Sequence, residues 1–495
     1  MIRFLGERNV QSSILLATLR FVGIYKYKSS RINHTSKVQQ NMLWAFGRVG
    51  EILGMEINEK AQIMLEKHPL CDHCLGRQFA FLGFGINNRE RGRTMKLFLT
   101  MKGHHLALQK NKEGVSLLKI LAENGSFPMA TEILRKLKRR PKQAKKCFLC
   151  EGCFESLPSL VAKAAEKLQG YEHDTFLVGV KLPHEAEERE DEFKAQFEVQ
   201  HGENIRNELS REFGKMLSDR IGKTVDFLNP QIVILVNPIA GDIRLQVNPL
   251  FVMGRYQKLV RGIPQSKWFC PKCRGKGCAE CGFTGRLHTE SVEELVAGPT
   301  IKTVHGEDAS FHGAGREDAD ARMLGKGRPF IVQVKRPHKR EIDLKELAQA
   351  INKLADGKIK VSNLKIVDKD MIRVLKHLEA AKKTYRVTVC FNRDVSDDEI
   401  EKIARSLSGV KVFQQTPTRV LRRRADKTRE KHIYETTVKR ISPNSVEMKV
   451  RCQGGLYVKE LITGDGGRTE PNVSKIVDAK AEPLELDVLS ISIKG

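Results

Sequence analysis

The sequence predicts a multidomain α+β protein, and three observations lead to that class. Helical periodicity and lysine-rich segments fill the first part of the chain, strand-like runs mix with helical ones from about residue 155, and most cysteines stand in pairs with a two-residue spacer. At 495 residues the chain has room for about two to four domains, each with a core of its own.

The 86 Lys and Arg outnumber the 60 Asp and Glu, for a formal net charge of +26. A basic tail alone could give that figure. Here the cations are spread along the chain, which points to a broad surface for a polyanion, nucleic acid before membrane. No run of 18 apolar residues occurs, so no membrane span is expected. Of the eleven cysteines, Cys71/Cys74, Cys147/Cys150, Cys270/Cys273 and Cys278/Cys281 are paired, while Cys153, Cys390 and Cys452 stand apart. Pairs of this kind, without a clear secretory signal, favour a reducing compartment and metal over disulfides.

Residues 1–40 hold arginines, lysines and serines around a single acid, Glu7, and are expected to be a poorly ordered extension, although a transit peptide would read similarly. Residues 41–155 read as a helical zinc-binding region. A helical period over 43–66 precedes Cys71-Asp-His-Cys74, and a lysine-rich stretch leads to Cys147-Phe-Leu-Cys150-Glu-Gly-Cys153. Cys71, Cys74, Cys147 and Cys150 can close one tetrahedral site; Cys153 could replace Cys150, and His73 could join.

In 156–255 a strand is expected over 175–181, one long charged helix over 185–221, and a hairpin from 232–237 and 243–248 around Gly241-Asp242. Residues 256–290 read as a basic linker carrying a zinc ribbon. The run 254–268 interleaves Arg255, Lys258, Arg261 and Lys267 with Tyr256 and Trp268, a composition suited to phosphate contact and base stacking. Cys270, Cys273, Cys278 and Cys281 follow with only four residues between the two pairs, the most specific metal signal in the chain.

Residues 291–495 read as the last domain, with strands over 330–335, 359–367, 382–391 and 485–493, and helices over 343–354 and 394–407, the latter with Ser396 as N-cap. The stretch 312–330 has no period of either kind. Its glycines allow close backbone approach, and its acids stand among arginines and a lysine. Carboxylates so surrounded are favoured in the ionised form and can serve as nucleophile or base. A solvated loop with accidental ion pairs would have the same composition.

Within that stretch, Gly-Arg-Glu-Asp-Ala-Asp-Ala-Arg-Met-Leu-Gly at 315–325, followed by Gly-Arg-Pro-Phe, resembles the catalytic motif of the archaeal and eukaryotic tRNA pseudouridine synthases that modify T-loop positions 54 and 55. The resemblance implies that Asp318 is the catalytic residue and Arg316 its neighbour; Asp320, two positions on, is the runner-up. Lys383-Thr-Tyr385 is similar to a Lys-x-Tyr element of pseudouridine synthases whose tyrosine stacks on the target uracil; a half-buried strand tyrosine is the plainer reading. Gly-Leu-Tyr457-Val-Lys459-Glu-Leu resembles a bacterial Gly-x-Tyr-Ile-Arg-x-Leu run, which implies that Lys459 pairs with the catalytic aspartate and Tyr457 stands beside the substrate. Gln-Thr-Pro-Thr-Arg419-Val, with Arg422 and Arg423 behind it, resembles a basic segment of the same family and implies phosphate contact.

The resemblance covers about residues 65–495. It implies an N-terminal zinc-binding α/β domain containing a THUMP-like RNA-binding module, then a pseudouridine-synthase domain on a mixed, mainly antiparallel sheet. The 270–281 ribbon points to an archaeal relative. The implied protein is a cytoplasmic, monomeric isomerase with structural zinc, tRNA bound by its T-arm, and no small-molecule co-substrate. With no P-loop, dinucleotide fingerprint or HExxH motif in the chain, no organic cofactor is expected. Two other readings stay open: a non-catalytic RNA-binding or processing adaptor, and a THUMP-bearing methyltransferase, which would need a glycine-rich nucleotide pocket.

Overall fold

The computed structural model describes residues 56–378, 381–421 and 424–492; the expected extension 1–40, Arg422 and Arg423 lie outside the described residues. The chain divides into two compact units.

Among the described residues the first unit comprises 56–157, 180–211 and 238–240. Helices Ile57–Lys67, Asn88–Leu108, Lys112–Glu123 and Pro128–Lys136 build it. Asn87 and Asn111 cap the second and third by accepting from the amides of Glu90 and Glu113, and Pro128 opens the fourth at a position where its missing N–H is not needed. Lys96 is fully buried, and its ammonium donates to the carbonyls of Leu70 (2.8 Å) and Gly125 (2.6 Å) and to Asp72 (2.8 Å), so all three of its hydrogens are used. The single helix expected over 185–221 is two, His184–Gln196 and Ile205–Ile221. Glu190, on the first, explains the break: both its oxygens lie 3.1 Å from the Ile205 amide, so its carboxylate caps the start of the second.

Among the described residues the second unit comprises 158–179, 212–237 and 241–492. A four-stranded sheet has the order β2-β1-β3-β4, from β1 (Thr175–Val180), β2 (Thr224–Val225), β3 (Ile232–Asn237) and β4 (Asp242–Val247). The expected hairpin is β3–β4, with Asn237 opposite Asp242.

The larger sheet uses β5 (Leu250–Lys258), β6 (Asp308–Gly313), β7 (Arg322–Lys335), β8 (Ile359–Val367), β9 (Lys383–Phe391), β10 (Lys411–Gln414), β11 (Arg429–Ser442), β12 (Ser445–Cys452), β13 (Thr469–Glu470) and β14 (Ala481–Ile491). Their order is β13-β10-β11-β12-β9-β14-β7-β5-β8, with β6 paired to β7. The joint between β14 and β7 is parallel and short, Asp487 opposite Arg322 and Val488 opposite Met323; the other pairings in this sheet are antiparallel. The fold is therefore α+β on a mixed, mainly antiparallel sheet. Two apolar cores flank that joint, one under β9, β11, β12 and helix Asp397–Leu407, the other between β5, β7, β8 and helices Val292–Val304 and Leu344–Ala355. Tyr385 packs against both.

Residues 250–258, partly read as linker, are thus a strand in the body of the sheet. Beside it β7 makes tight contacts: a side chain at Gly325 (φ +58°) would meet the Leu489 carbonyl at 2.0 Å, and one at Gly327 (φ +72°) the Tyr256 carbonyl at 2.6 Å.

Candidate active site

The acid-bearing loop 314–321 joins β6 to β7 and is held from behind by buried side chains. Glu317 is the anchor. Arg328, on β7 and equally buried, donates from Nε to Glu317 at 2.7 Å and from Nη1 to the Ala314 carbonyl at 2.7 Å. The Tyr256 hydroxyl donates to the same carboxylate, 2.9 Å away, and accepts from Gln265 Nε2, which also reaches the Gly315 carbonyl at 3.0 Å. Lys258 donates to the carbonyls of Ile263 (2.7 Å), Asp318 (3.0 Å) and Ala319 (3.0 Å), and burial lowers its ammonium to about 8. Arg261 donates to the carbonyls of Asp320 (2.9 Å) and Leu486 (2.7 Å) and to Asp487 (2.8 Å).

These contacts correct the expectation that Tyr256 and Lys258 face RNA. Side chains alternate across a strand, and β5 turns Tyr256 and Lys258 inward, where both are fully buried. Arg255 is partly exposed but gives its Nε to the Lys326 carbonyl (2.7 Å) and Nη2 to the Gly327 carbonyl (3.0 Å). Tyr256, Lys258 and Arg261 form the back of the loop, and Arg255 braces β7. Val252, Gly254 and Tyr256 alternating with Met253, Arg255 and Gln257 is the trace of that face in the sequence, and the basic and aromatic composition obscures it.

On the open side, Asp318 has a side chain 38% exposed. Arg419, on the turn Thr418–Val420, approaches it with both terminal nitrogens, Nη1 3.3 Å from Oδ1 and Nη2 3.2 Å from Oδ2. Lys459, on helix Val458–Thr463, lies 3.7 Å from Asp318 but 2.5 Å from Asp320. The expected Lys459–Asp318 pair is therefore a longer contact, and the nearer cation is Arg419, a residue for which the sequence implies phosphate contact. Burial works against the Asp320 anion, but the Lys459 ammonium outweighs it and holds that carboxyl below its ordinary value.

Asp318 opens into a cavity of about 820 Å³. Tyr385 on β9, with Leu486 and Val488 on β14, gives it an apolar wall, and Val488 stands directly opposite Tyr385. Burial pushes the Tyr385 phenol up, so that side chain is neutral across the ordinary pH range. Trp268 lines another side beneath the Arg316 guanidinium, 4.9 Å from its ring centre. Tyr457 accepts from Arg424 at 3.1 Å, and Lys383, Arg429 and Lys431 complete a cationic lining. Such a cavity suits a flat, uncharged ring attached to an anionic backbone.

Two groups of four cysteines have all their sulfurs within 4.8 Å of one another: Cys71, Cys74, Cys147 and Cys150 in the first unit, and Cys270, Cys273, Cys278 and Cys281 in the second. A tetrahedral zinc with Zn–S of about 2.3 Å needs S···S edges of about 3.8 Å. The observed edges include 3.6 Å for Cys71–Cys150, 3.9 Å for Cys270–Cys278 and 3.8 Å for Cys273–Cys281. Backbone amides also point at the sulfurs, Gly277 to Cys273 and Gly285 to Cys281, both at 3.2 Å. Both sets fit a tetrathiolate-bound ion. Cys153 stays outside its set, and His73 is occupied by Glu208 (2.8 Å) and stacked on Phe154.

Residues 251–492 match the family described as "Pus10, C-terminal", and residues 160–237 match "Pus10 THUMP domain, archaeal". Among curated proteins, the tRNA pseudouridine synthase Pus10 of Methanocaldococcus jannaschii is 42% identical over 465 residues, covering 92% of this chain and 98% of that one. Its namesake in Methanothrix thermoacetophila is 40% identical, covering 86% and 93%, and that of Thermofilum pendens 41% identical, covering 88% and 95%. Identity at this level over nearly the whole length, from archaeal relatives alike, means that the chain belongs to the Pus10 family of tRNA pseudouridine synthases, an isomerase family.

Proposed function

We propose that the protein isomerises uridine to pseudouridine in the T-loop of tRNA, at position 55 and also at 54, with Asp318 as the catalytic carboxylate. The observation that carries this reading is the meeting of Asp318 and two flanking cations with the Tyr385 wall in one cavity. The reaction breaks the bond between N1 of uracil and C1′ of ribose, turns the base, and joins C5 to C1′; the hydrogen on C5 is lost and N1 gains one. Nothing is consumed. It requires a uridine turned out of its stack, a carboxylate at the sugar or ring, and a surface that holds the base while it turns.

In this reading Tyr385 stacks on the uracil, Arg419 and Lys459 hold the charge of the Asp318 and Asp320 carboxylates, and Arg316, Tyr457 and Arg424 contact the flanking nucleotides. The cationic lining and the net charge of +26 supply attraction to the T-arm backbone. Zinc in the two cysteine sets is structural, since each set offers four thiolates and leaves no open position for chemistry. The enzyme acts as a monomer in the cytoplasm, where thiols stay reduced. Among the described residues no helix is long and apolar enough to cross a membrane.

The test is pseudouridine mapping on an unmodified T-arm transcript with wild type, Asp318→Asn and Asp320→Asn. Product is expected from wild type and from Asp320→Asn, and none from Asp318→Asn with RNA binding intact. Absence of product from all three, despite tight binding, would overturn the reading in favour of a non-catalytic RNA adaptor.

A further inference from the structure

We infer that Glu460 is a positioning residue that aims Arg419 at Asp318, and that Arg419, rather than Lys459, is the principal counter-charge of that carboxylate; this rests on Asp318 being the catalytic group. The guanidinium has two usable edges. Its Nε donates to Glu460 Oε1 at 2.7 Å, and its two terminal nitrogens lie 3.3 and 3.2 Å from the two oxygens of Asp318. One planar cation therefore spans two carboxylates, a geometry that a lysine cannot reproduce.

Glu460 is placed to fix that plane. Its side chain is 7% exposed, and Oε2 is enclosed without a hydrogen-bond partner, so a buried anion is kept at the desolvation cost such a group carries. Its compensation is Arg419, whose own charge is favoured by Glu460 and Asp318 against the effect of burial. Arg419 sits on a short turn in a strongly basic segment, where an untethered guanidinium would turn to RNA phosphates. With Nε committed to Glu460, the remaining edge faces Asp318. The neighbouring Lys459 is instead paired closely with Asp320 alone, 2.5 Å away, and lies 3.7 Å from Asp318. Successive residues of one helix, Lys459 and Glu460, thus serve the centre in different ways: Lys459 reaches the acid loop directly, and Glu460 reaches Asp318 through Arg419.

The experiment is single-turnover and steady-state kinetics on a T-arm RNA with Glu460→Gln, Arg419→Lys and Asp318→Asn, each with its melting temperature. Glu460→Gln preserves shape and an acceptor but removes the charge; kcat is expected to fall on the order of tenfold to a hundredfold, as when a charge-assisted hydrogen bond is lost, with KM changed less than about threefold. Arg419→Lys keeps the charge but cannot span both carboxylates, so it should show the same loss in kcat, also with near-normal KM. If Arg419 were an RNA clamp and Glu460 only a packing group, Arg419→Lys would retain kcat, and Glu460→Gln would lower the melting temperature or raise KM alone; either result overturns the inference. Should Glu460→Gln fail to fold, Arg419→Lys decides by itself. A fully active Asp318→Asn would instead remove the catalytic assignment on which the inference rests, and is read separately.

Discussion

The Lys258 ammonium lies 3.0 Å from the carbonyl oxygen of Asp318, so the residue whose carboxylate opens into the cavity is held through its backbone by a fully buried cation. The same ammonium reaches Ile263 and Ala319, which gives it three acceptors for three hydrogens. The loop is thereby fixed without touching the Asp318 carboxylate, which stays available to a substrate.

This arrangement predicts opposite responses of activity and stability to alkali. Burial sets Lys258 at about 8, below its ordinary 10.5, so between those values the unfolded chain binds the extra proton and folding stability rises with pH. A neutral amine, however, has two hydrogens for three carbonyls, and the loop loses a tie. The pseudouridine-forming rate should therefore fall as pH rises through about 8, while the urea midpoint does not fall with it. Lys258→Met should be slow at all pH values and lack that alkaline limb. A wild-type rate flat from pH 7 to about 9.5 would contradict the role given to Lys258.

Much of this architecture was legible beforehand, and the exceptions have physical reasons. Strand β8 emerged from alternation with its limits correct, and Ser396 emerged as an N-cap because it accepts from the Glu399 amide while Glu399 reaches back to it. The nearness of Asp318, Tyr385 and Lys459 was legible through motif resemblance. Strands β11 and β12 carry charges along one face, which hides their alternation in the sequence, and the end of β5 at 256–258 resembles a linker because its cations look solvated until the sheet buries them. The Arg328–Glu317 pair and the Arg419–Glu460 pair join residues whose sequence positions give no period, since tertiary packing brings such partners together. Two adjacent acids, Glu317 and Asp318, face opposite sides of one loop, a division of labour that composition does not reveal.

Asp487 is the other side chain on which the centre leans. Burial opposes its anion, but hydrogen bonds from Arg322 and Arg386 and the nearby Arg261 outweigh burial and lower the carboxyl to about 2. Since the folded value lies below the unfolded one, the stabilisation is fully present above about pH 4 and is lost as pH falls toward 2. Asp487→Asn should cost about 1.5–3 kcal/mol at pH 7, the range for hydrogen bonds to charged groups, and the gap from wild type should narrow by pH 3. Urea titrations at the two pH values measure it; a gap that is constant or larger at pH 3 would show that packing, not charge, sets the loss.

The two cysteine sets predict different consequences of metal removal. Both fit zinc, so purified protein should hold two ions per chain by elemental analysis, and Cys71→Ser and Cys278→Ser should each lower that figure toward one. The first set ties residue 74 to residue 147 across about seventy residues, with Cys74, Cys147 and Cys150 buried in the core of the first unit. The second closes a knuckle with only four residues between Cys273 and Cys278, and three of its thiols are half-exposed. Binding energy at a site that organises a core is folding energy, whereas a surface knuckle orders only itself. Cys71→Ser should therefore lower the melting temperature of the first unit by well over about 5 °C, while Cys278→Ser leaves the main transition within about 2 °C. Equal shifts from the two variants, or loss of both ions from either one, would mean that the sets do not act independently.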